Sequence, residues 1–89
     1  MDFASAIEAC RNAEAPICRS GWNGKGMFVY AVSAGNYPAT SPVAKRFFGE
    51  NALVPYGPYL AIKGADGVVS PWVPSQADMA ANDWEFATY

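Results

Sequence analysis

The sequence predicts an α+β domain: a small antiparallel β-sheet of about four to five strands with an N-terminal helix and one or two further short helices. Three observations lead there. The chain has 89 residues, enough for one domain and too few for two of ordinary size. Apolar residues recur at helical spacing near the N terminus, in "DFASAIEACRNA". Farther on, short runs rich in β-branched and aromatic residues are bounded by turn-forming Gly, Asn, Asp and Pro.

In the first segment Asp2 is placed to cap a helix whose Phe3, Ile7 and Cys10 share a face, with Glu8 and Arg11 elsewhere. Pro16 and Ile17 open a short extended segment reaching Arg19. The stretch "GWNGKG", residues 21–26, then turns the chain into "MFVYAV", residues 27–32, and the pair reads as a hairpin. Both alternating sets of "MFVYAV" are apolar, which predicts a strand covered by a helix on one side and a partner subunit on the other. Within the single domain 1–89, residues 33–58 read as a long loop or insertion region rich in Pro, Gly and Asn. Inside it, Ser41 as cap, Pro42 at the first helical position and Gly49 as stop predict one or two helical turns. "YLAIK" and "VVSPWV" around the turn Asp66-Gly67 form a second hairpin, whose Pro71 requires an edge or a strand end. Ser75 and Asp78 have capping-box spacing ahead of a short helix in "QADMAA". The closing "DWEFATY" alternates as a terminal strand with Trp84, Phe86 and Thr88 on one buried face.

Composition removes several functional classes. There is no histidine, so serine triads, cysteine–histidine dyads and ordinary zinc hydrolase sites are absent. No metal site or cofactor motif is legible, and "GKG" lacks the spacing of a phosphate-binding loop and precedes a strand. Six basic residues are scattered over a chain of net charge −2, a poor footprint for long DNA or RNA, though a small anionic ligand is allowed. No apolar run of about 18 residues exists, so no membrane span is expected, and without a signal peptide the protein is expected to be soluble and intracellular. Cys10 and Cys18 do not form a CxxC pair and are expected as thiols, Cys10 in the core. With 52% apolar and 15% aromatic residues on so small a domain, self-association is the expected remedy for surplus apolar surface.

What remains is a set of aromatic residues beside small polar groups in turns: Trp22 with Asn23 and Gly24, and Trp72 with Ser75 and Gln76. Bases stack on aromatic faces, Asn and Gln read base edges, and exposed backbone N–H groups attract phosphate. Each residue also has a structural reading. Trp22 and Trp72 can close the end of a core, Trp84 alternates as core, Lys25 can be a solvated turn charge, and Ser75 a plain N-cap. Asp78 with Asp83 could form an acid–base pair, but both also fit capping or solvated roles.

At "GWNGKGM" and "YLAIKGADGVVSPWVPSQADMAANDWE" the chain resembles a family of small phage proteins, the second Thoeris anti-defence type. The shared pattern runs in order through a helix, an arginine before GWNGKG, an aliphatic–Lys strand, a turn with Asp, and PW..SQ.DM...DWE, and covers roughly two thirds of the chain. The resemblance implies a sponge acting in the cytoplasm of the infected bacterial host. Such a protein binds and holds the cyclic ADP-ribose signal (gcADPR) made by a TIR-domain enzyme, breaking no bond in it. It also implies a homotetramer with pockets at subunit contacts, and in some members a second kind of site for cyclic dinucleotides of the cGAS-like (CBASS) pathway. Carried onto matching positions, Trp22 and Trp72 would stack on adenine, helped by Met27 or Phe28. Asn23, Gly24 and Lys25 would donate to phosphates, and Ser75, Gln76 and Asp78 would hydrogen-bond ribose or base. Arg19 would neutralise a phosphate or pair with a carboxylate. Two other classes stand beside this one: an enzyme that cleaves the signal, and a virion or host-interaction module with no nucleotide ligand.

Overall fold

A computed structural model describes residues 1–13, 15–22 and 26–88. Helix α1, Phe3–Asn12, starts where expected, with the Asp2 carboxylate accepting from the Ser5 N–H at 2.9 Å. Its Ala6 and Cys10 are fully buried and face the sheet, so one apolar stripe of the helix closes one side of the core. Strands β1 (Ile17–Arg19), β2 (Phe28–Val32), β5 (Tyr59–Lys63), β6 (Val69–Pro71) and β7 (Trp84–Phe86) form an antiparallel sheet in the order β6-β5-β2-β1-β7. Its longest ladder joins β2 to β5, from Phe28 opposite Lys63 to Val32 opposite Tyr59. Pro71 lies on edge strand β6, where a residue without an N–H breaks no inner ladder.

The core consists of Ala6, Cys10, Ile17, Val29 and Trp84, with Phe3, Ile7, Trp22, Ala31, Leu60, Ile62, Trp72 and Ala81 packed around it. The two ends of the described chain meet there, since the Met1 ammonium donates to the Trp84 carbonyl at 2.7 Å and the Trp84 N–H donates back at 3.2 Å. Helix α3, Gln76–Ala80, opens with the anticipated capping box. Ser75 Oγ accepts from the Asp78 N–H at 3.0 Å, and Asp78 Oδ2 accepts from the Ser75 N–H at 2.9 Å.

Two expectations need correcting. The one or two helical turns expected within residues 33–58 are helix α2, Pro42–Phe48, but the remainder is not a long loop: strands β3 (Gly35–Pro38) and β4 (Leu53–Tyr56) pair antiparallel as a second sheet. Pro38 and Pro55 hid these strands from a pattern reading, yet a two-stranded sheet consists of edges and tolerates them. Among the described residues β4 packs on both β3 and α2, and the three elements form an arm whose backbone stays apart from the strands of the five-stranded sheet. In the terminal strand only Trp84 is buried. Phe86 is 56% exposed and Thr88 is exposed, because β7 is a three-residue strand at the edge of the sheet. Of the two sides of β2, α1 covers that of Val29, while Phe28, Tyr30 and Val32 on the other are half-buried, with no helix packed over them among the described residues.

Candidate functional site

Trp84 organises the site. Its ring is 2% exposed, and its Nε1–H donates to the Asp78 carbonyl at 2.9 Å, which ties β7 to α3. Trp22 and Trp72 meet this ring almost at right angles, at centroid distances of 5.4 and 5.9 Å, and Phe3 packs tilted against Trp72 and Trp84. Edge-to-face pairs of this kind suit the ring quadrupole and are worth about 0.5–1.5 kcal/mol each beyond area burial. Both outer tryptophans stay half-buried, so each combines a packed part with a solvent-facing part. The stacking and core-closing readings of Trp22 and Trp72 are therefore compatible.

Arg19 lies beside this cluster with its guanidinium forked between two carboxylates. Nε donates to Asp83 Oδ1 at 2.9 Å and Nη1 to Asp78 Oδ1 at 3.1 Å. Asp83 does more than pair with Arg19. Its Oδ2 accepts from Ser20 Oγ and from the Gly21 N–H, each at 3.3 Å, and its carbonyl accepts from the Ser20 N–H at 3.1 Å. A further bond, from the Trp22 N–H to the Arg19 carbonyl at 3.2 Å, closes the turn that carries Trp22. The Arg19 hydrogen bond comes first among the causes holding the Asp83 carboxyl below its ordinary range. For Asp78, burial pushes upward, but the Ser75 hydrogen bonds and Arg19 outweigh it and the carboxyl is also lowered. The two partners in turn raise Arg19, Asp83 more than Asp78. Both carboxylates are thus held charged, the opposite of a pair sharing a proton, and a lowered carboxylate is a weak base at neutral pH.

Arg19, Trp22 and Met27 line one open cleft of about 220 Å³ with Cys18, Ser20, Gly26, Glu85, Phe86, Ala87 and Thr88. Trp72 and Asp78 join this region through Trp84 and Arg19. Ser75 is spent as a helix cap, and Gln76 is exposed at the first position of α3. Phe28 belongs to the other side of the sheet, where Lys63 Nζ sits 5.6 Å from its ring centroid and also donates to the Gly26 carbonyl at 2.9 Å. Asn23, Gly24 and Lys25 lie outside the described residues. Sequence reasoning weighed Asp83 as a possible acid or base or as a capping or solvated residue and missed it as the centre of this network, although its place next to the core residue Trp84 was a usable signal. It also missed a cavity of about 380 Å³ lined by Tyr37, Tyr56 and Tyr59 with Val32, Ser33, Pro38 and Thr40, where the arm leaves the sheet. Among the described residues no group of His, Cys, Asp and Glu is placed to hold a metal ion, and no helix is long and apolar enough to cross a membrane.

Fold and site together define a small α+β domain that surrounds a buried tryptophan with two half-exposed ones and holds Arg19 between two carboxylates beside them. The sequence profile of the Thoeris anti-defense 2-like domain matches residues 1–87. The chain is 37% identical over 92 residues to Thoeris anti-defense 2 of Bacillus phage SP01, a match spanning 99% of this chain and 96% of that protein. The chain therefore belongs to the Thoeris anti-defense 2-like family, whose role is phage counter-defence against Thoeris and which is not a known enzyme family.

Proposed function

We propose that the protein counters Thoeris as a sponge, binding and sequestering a cyclic ADP-ribose-type signal in the cytoplasm of the infected host without breaking a bond in it. The observation that carries this reading is the pair Trp22 and Trp72, each braced edge-to-face on Trp84 and each half in solvent. A nanomolar sponge needs about −12 kcal/mol. Base stacking at about 1–3 kcal/mol per aromatic and charge-assisted hydrogen bonds at about 1.5–3 each supply that scale before association entropy is subtracted. Asn23, Gly24, Lys25, Met27 and Gln76 are the groups we assign to phosphate, ribose and base.

The sponge acts as a homo-oligomer, for which a tetramer is the expected form. The cleft of about 220 Å³ is smaller than the roughly 300–1,000 Å³ of ordinary ligand pockets, which favours a pocket completed by a second subunit. The arm supplies apolar surface for that assembly, with Phe47 82% and Val43 74% exposed on α2. Lys45, Arg46 and Glu50 give residues 33–58 a charge of +1, leaving −3 on the remainder of a chain of net −2, so arm and body attract across subunits. The tyrosine-lined cavity of about 380 Å³ is the place we assign to a cyclic dinucleotide, should the protein hold one. The same exposed α2 surface is what favours the second reading, an interaction module with no nucleotide ligand.

The test is to incubate purified protein with the product of a TIR cyclase, remove unbound signal, heat-denature the protein and analyse the released molecule by mass spectrometry. Intact signal released in proportion to protein supports sequestration. Altered signal means an enzyme, and no retained signal means an interaction module.

A further inference from the structure

We propose that Asp83 is the positioning residue of the tryptophan site: its carboxylate fixes the turn carrying Trp22, and Arg19 serves that internal clasp through Nε and Nη1 instead of meeting a ligand phosphate. The inference rests on the sponge reading for its binding arm alone. Asp83 reaches the turn at three points, the Arg19 side chain, the Ser20 hydroxyl and the Gly21 N–H, and its own carbonyl holds the Ser20 N–H as a fourth. The next residue along the chain is Trp84, against which Trp22 packs at 80°. A single residue thus sets both the turn and the ring that Trp22 leans on. Arg19 extends the clasp to α3, because its second nitrogen holds Asp78, whose other oxygen closes the capping box just after Trp72. Each partnered nitrogen of Arg19 faces a carboxylate oxygen at 2.9 or 3.1 Å, and two negative charges against one positive leave the clasp with a surplus that repels a phosphate.

The two roles of Arg19 predict opposite signs. If Arg19 were a phosphate ligand restrained by Asp83, then Asp83→Asn would free it and affinity for the signal would rise or stay level. In the clasp, Asp83→Asn releases the turn, and affinity falls by at least about tenfold, the factor carried by one charge-assisted hydrogen bond. Arg19→Lys is read without ligand, because losing the fork weakens binding in either role. A lysine cannot span two carboxylates, so the clasp predicts a reduced ligand-free tryptophan signal, which a phosphate-only role does not.

The experiment measures binding of the TIR cyclase product by calorimetry for the wild type, Asp83→Asn, Arg19→Lys and the surface control Glu8→Gln, and records near-ultraviolet circular dichroism of each without ligand. The expected result is weaker binding and a reduced tryptophan signal in both clasp variants, with far-ultraviolet spectra unchanged. Tighter or equal binding by Asp83→Asn with an unchanged tryptophan signal overturns the inference. If the wild type itself binds no signal, the sponge reading fails and the ligand-free spectra alone decide the clasp. If Asp83→Asn does not fold, the ligand-free tryptophan spectrum of Arg19→Lys decides in its place: a reduced signal supports the clasp and an unchanged one overturns it.

Discussion

At the scale of the residue, the three tryptophans carry different loads. Trp84 is buried and central, so Trp84→Ala removes a core side chain at a cost of about 3–5 kcal/mol, a large part of the 5–15 kcal/mol that holds a domain together. The expected outcome is loss of the cooperative thermal transition. Trp22→Ala and Trp72→Ala keep the fold, with a melting temperature lowered by the loss of one edge-to-face pair, and each loses about 1–3 kcal/mol of ligand affinity, read by calorimetry beside thermal unfolding. The charged residues give a separate test through pH. Asp78 and Asp83 have folded-state pKa values below their unfolded values, so their contribution is present above about pH 4 and is lost as pH falls through the folded values. The charged groups involved are Arg19, Asp78 and Asp83; Arg19 stays protonated throughout this range. The melting temperature should be flat from about pH 8 to 5 as far as the clasp is concerned and fall below about pH 4, less steeply in Asp83→Asn.

At the scale of the element, local chemistry was legible wherever one residue type forces one geometry. Ser41 with Pro42, Ser75 with Asp78, and Asp66-Gly67 mark helix starts and a turn because their side chains or φ preferences answer a specific backbone need. The structure has Ser41 Oγ accepting from the Ala44 N–H at 3.1 Å, Asp66 Oδ1 from the Val68 N–H at 3.0 Å, and Gly67 at φ 86°. Strands β3 and β4 were not legible, since prolines and short length erase the period-two signal and their pairing depends on a partner some twenty residues away. The site was half-legible. The tryptophans and Arg19 stood out, but that Arg19 would face two carboxylates far along the chain is a tertiary fact no spacing encodes. The capping box carries the prediction at this scale. Ser75→Ala removes a helix cap at a cost of about 1 kcal/mol and shifts the melting temperature of a domain this size by about 4–8 °C. Because Asp78 then loses one of its anchors, the same variant should bind the signal more weakly than its stability loss alone explains, which titration at a temperature well below its transition will read.

At the scale of the whole molecule, the arm is the feature a lone chain does not account for. Helix α2 has no buried residue, is only seven residues long, and exposes Phe47 and Val43 on one face four positions apart. Isolated helices shorter than about 12–15 residues are marginal in water, so α2 draws little stability from itself and gains from any surface that covers those side chains. Among the described residues helix α2 packs on no strand of the main sheet, so covering it requires nothing in the body to move. Phe47→Asp is the variant that isolates this effect: the side chain is 82% exposed, so the fold of the single chain should survive with an unchanged far-ultraviolet spectrum. The charge it introduces would have to be buried in any contact made through α2, at a cost that an interface of ordinary size does not absorb. Light scattering at micromolar concentration should therefore give an oligomeric mass for the wild type and a smaller one for Phe47→Asp. A wild type that is already monomeric would overturn the assembly, and a variant of unchanged oligomeric mass would place the assembly surface elsewhere. If the smaller species also binds the signal more weakly while its tryptophan spectrum stays native, the cleft beside Trp22 is completed by a neighbouring subunit.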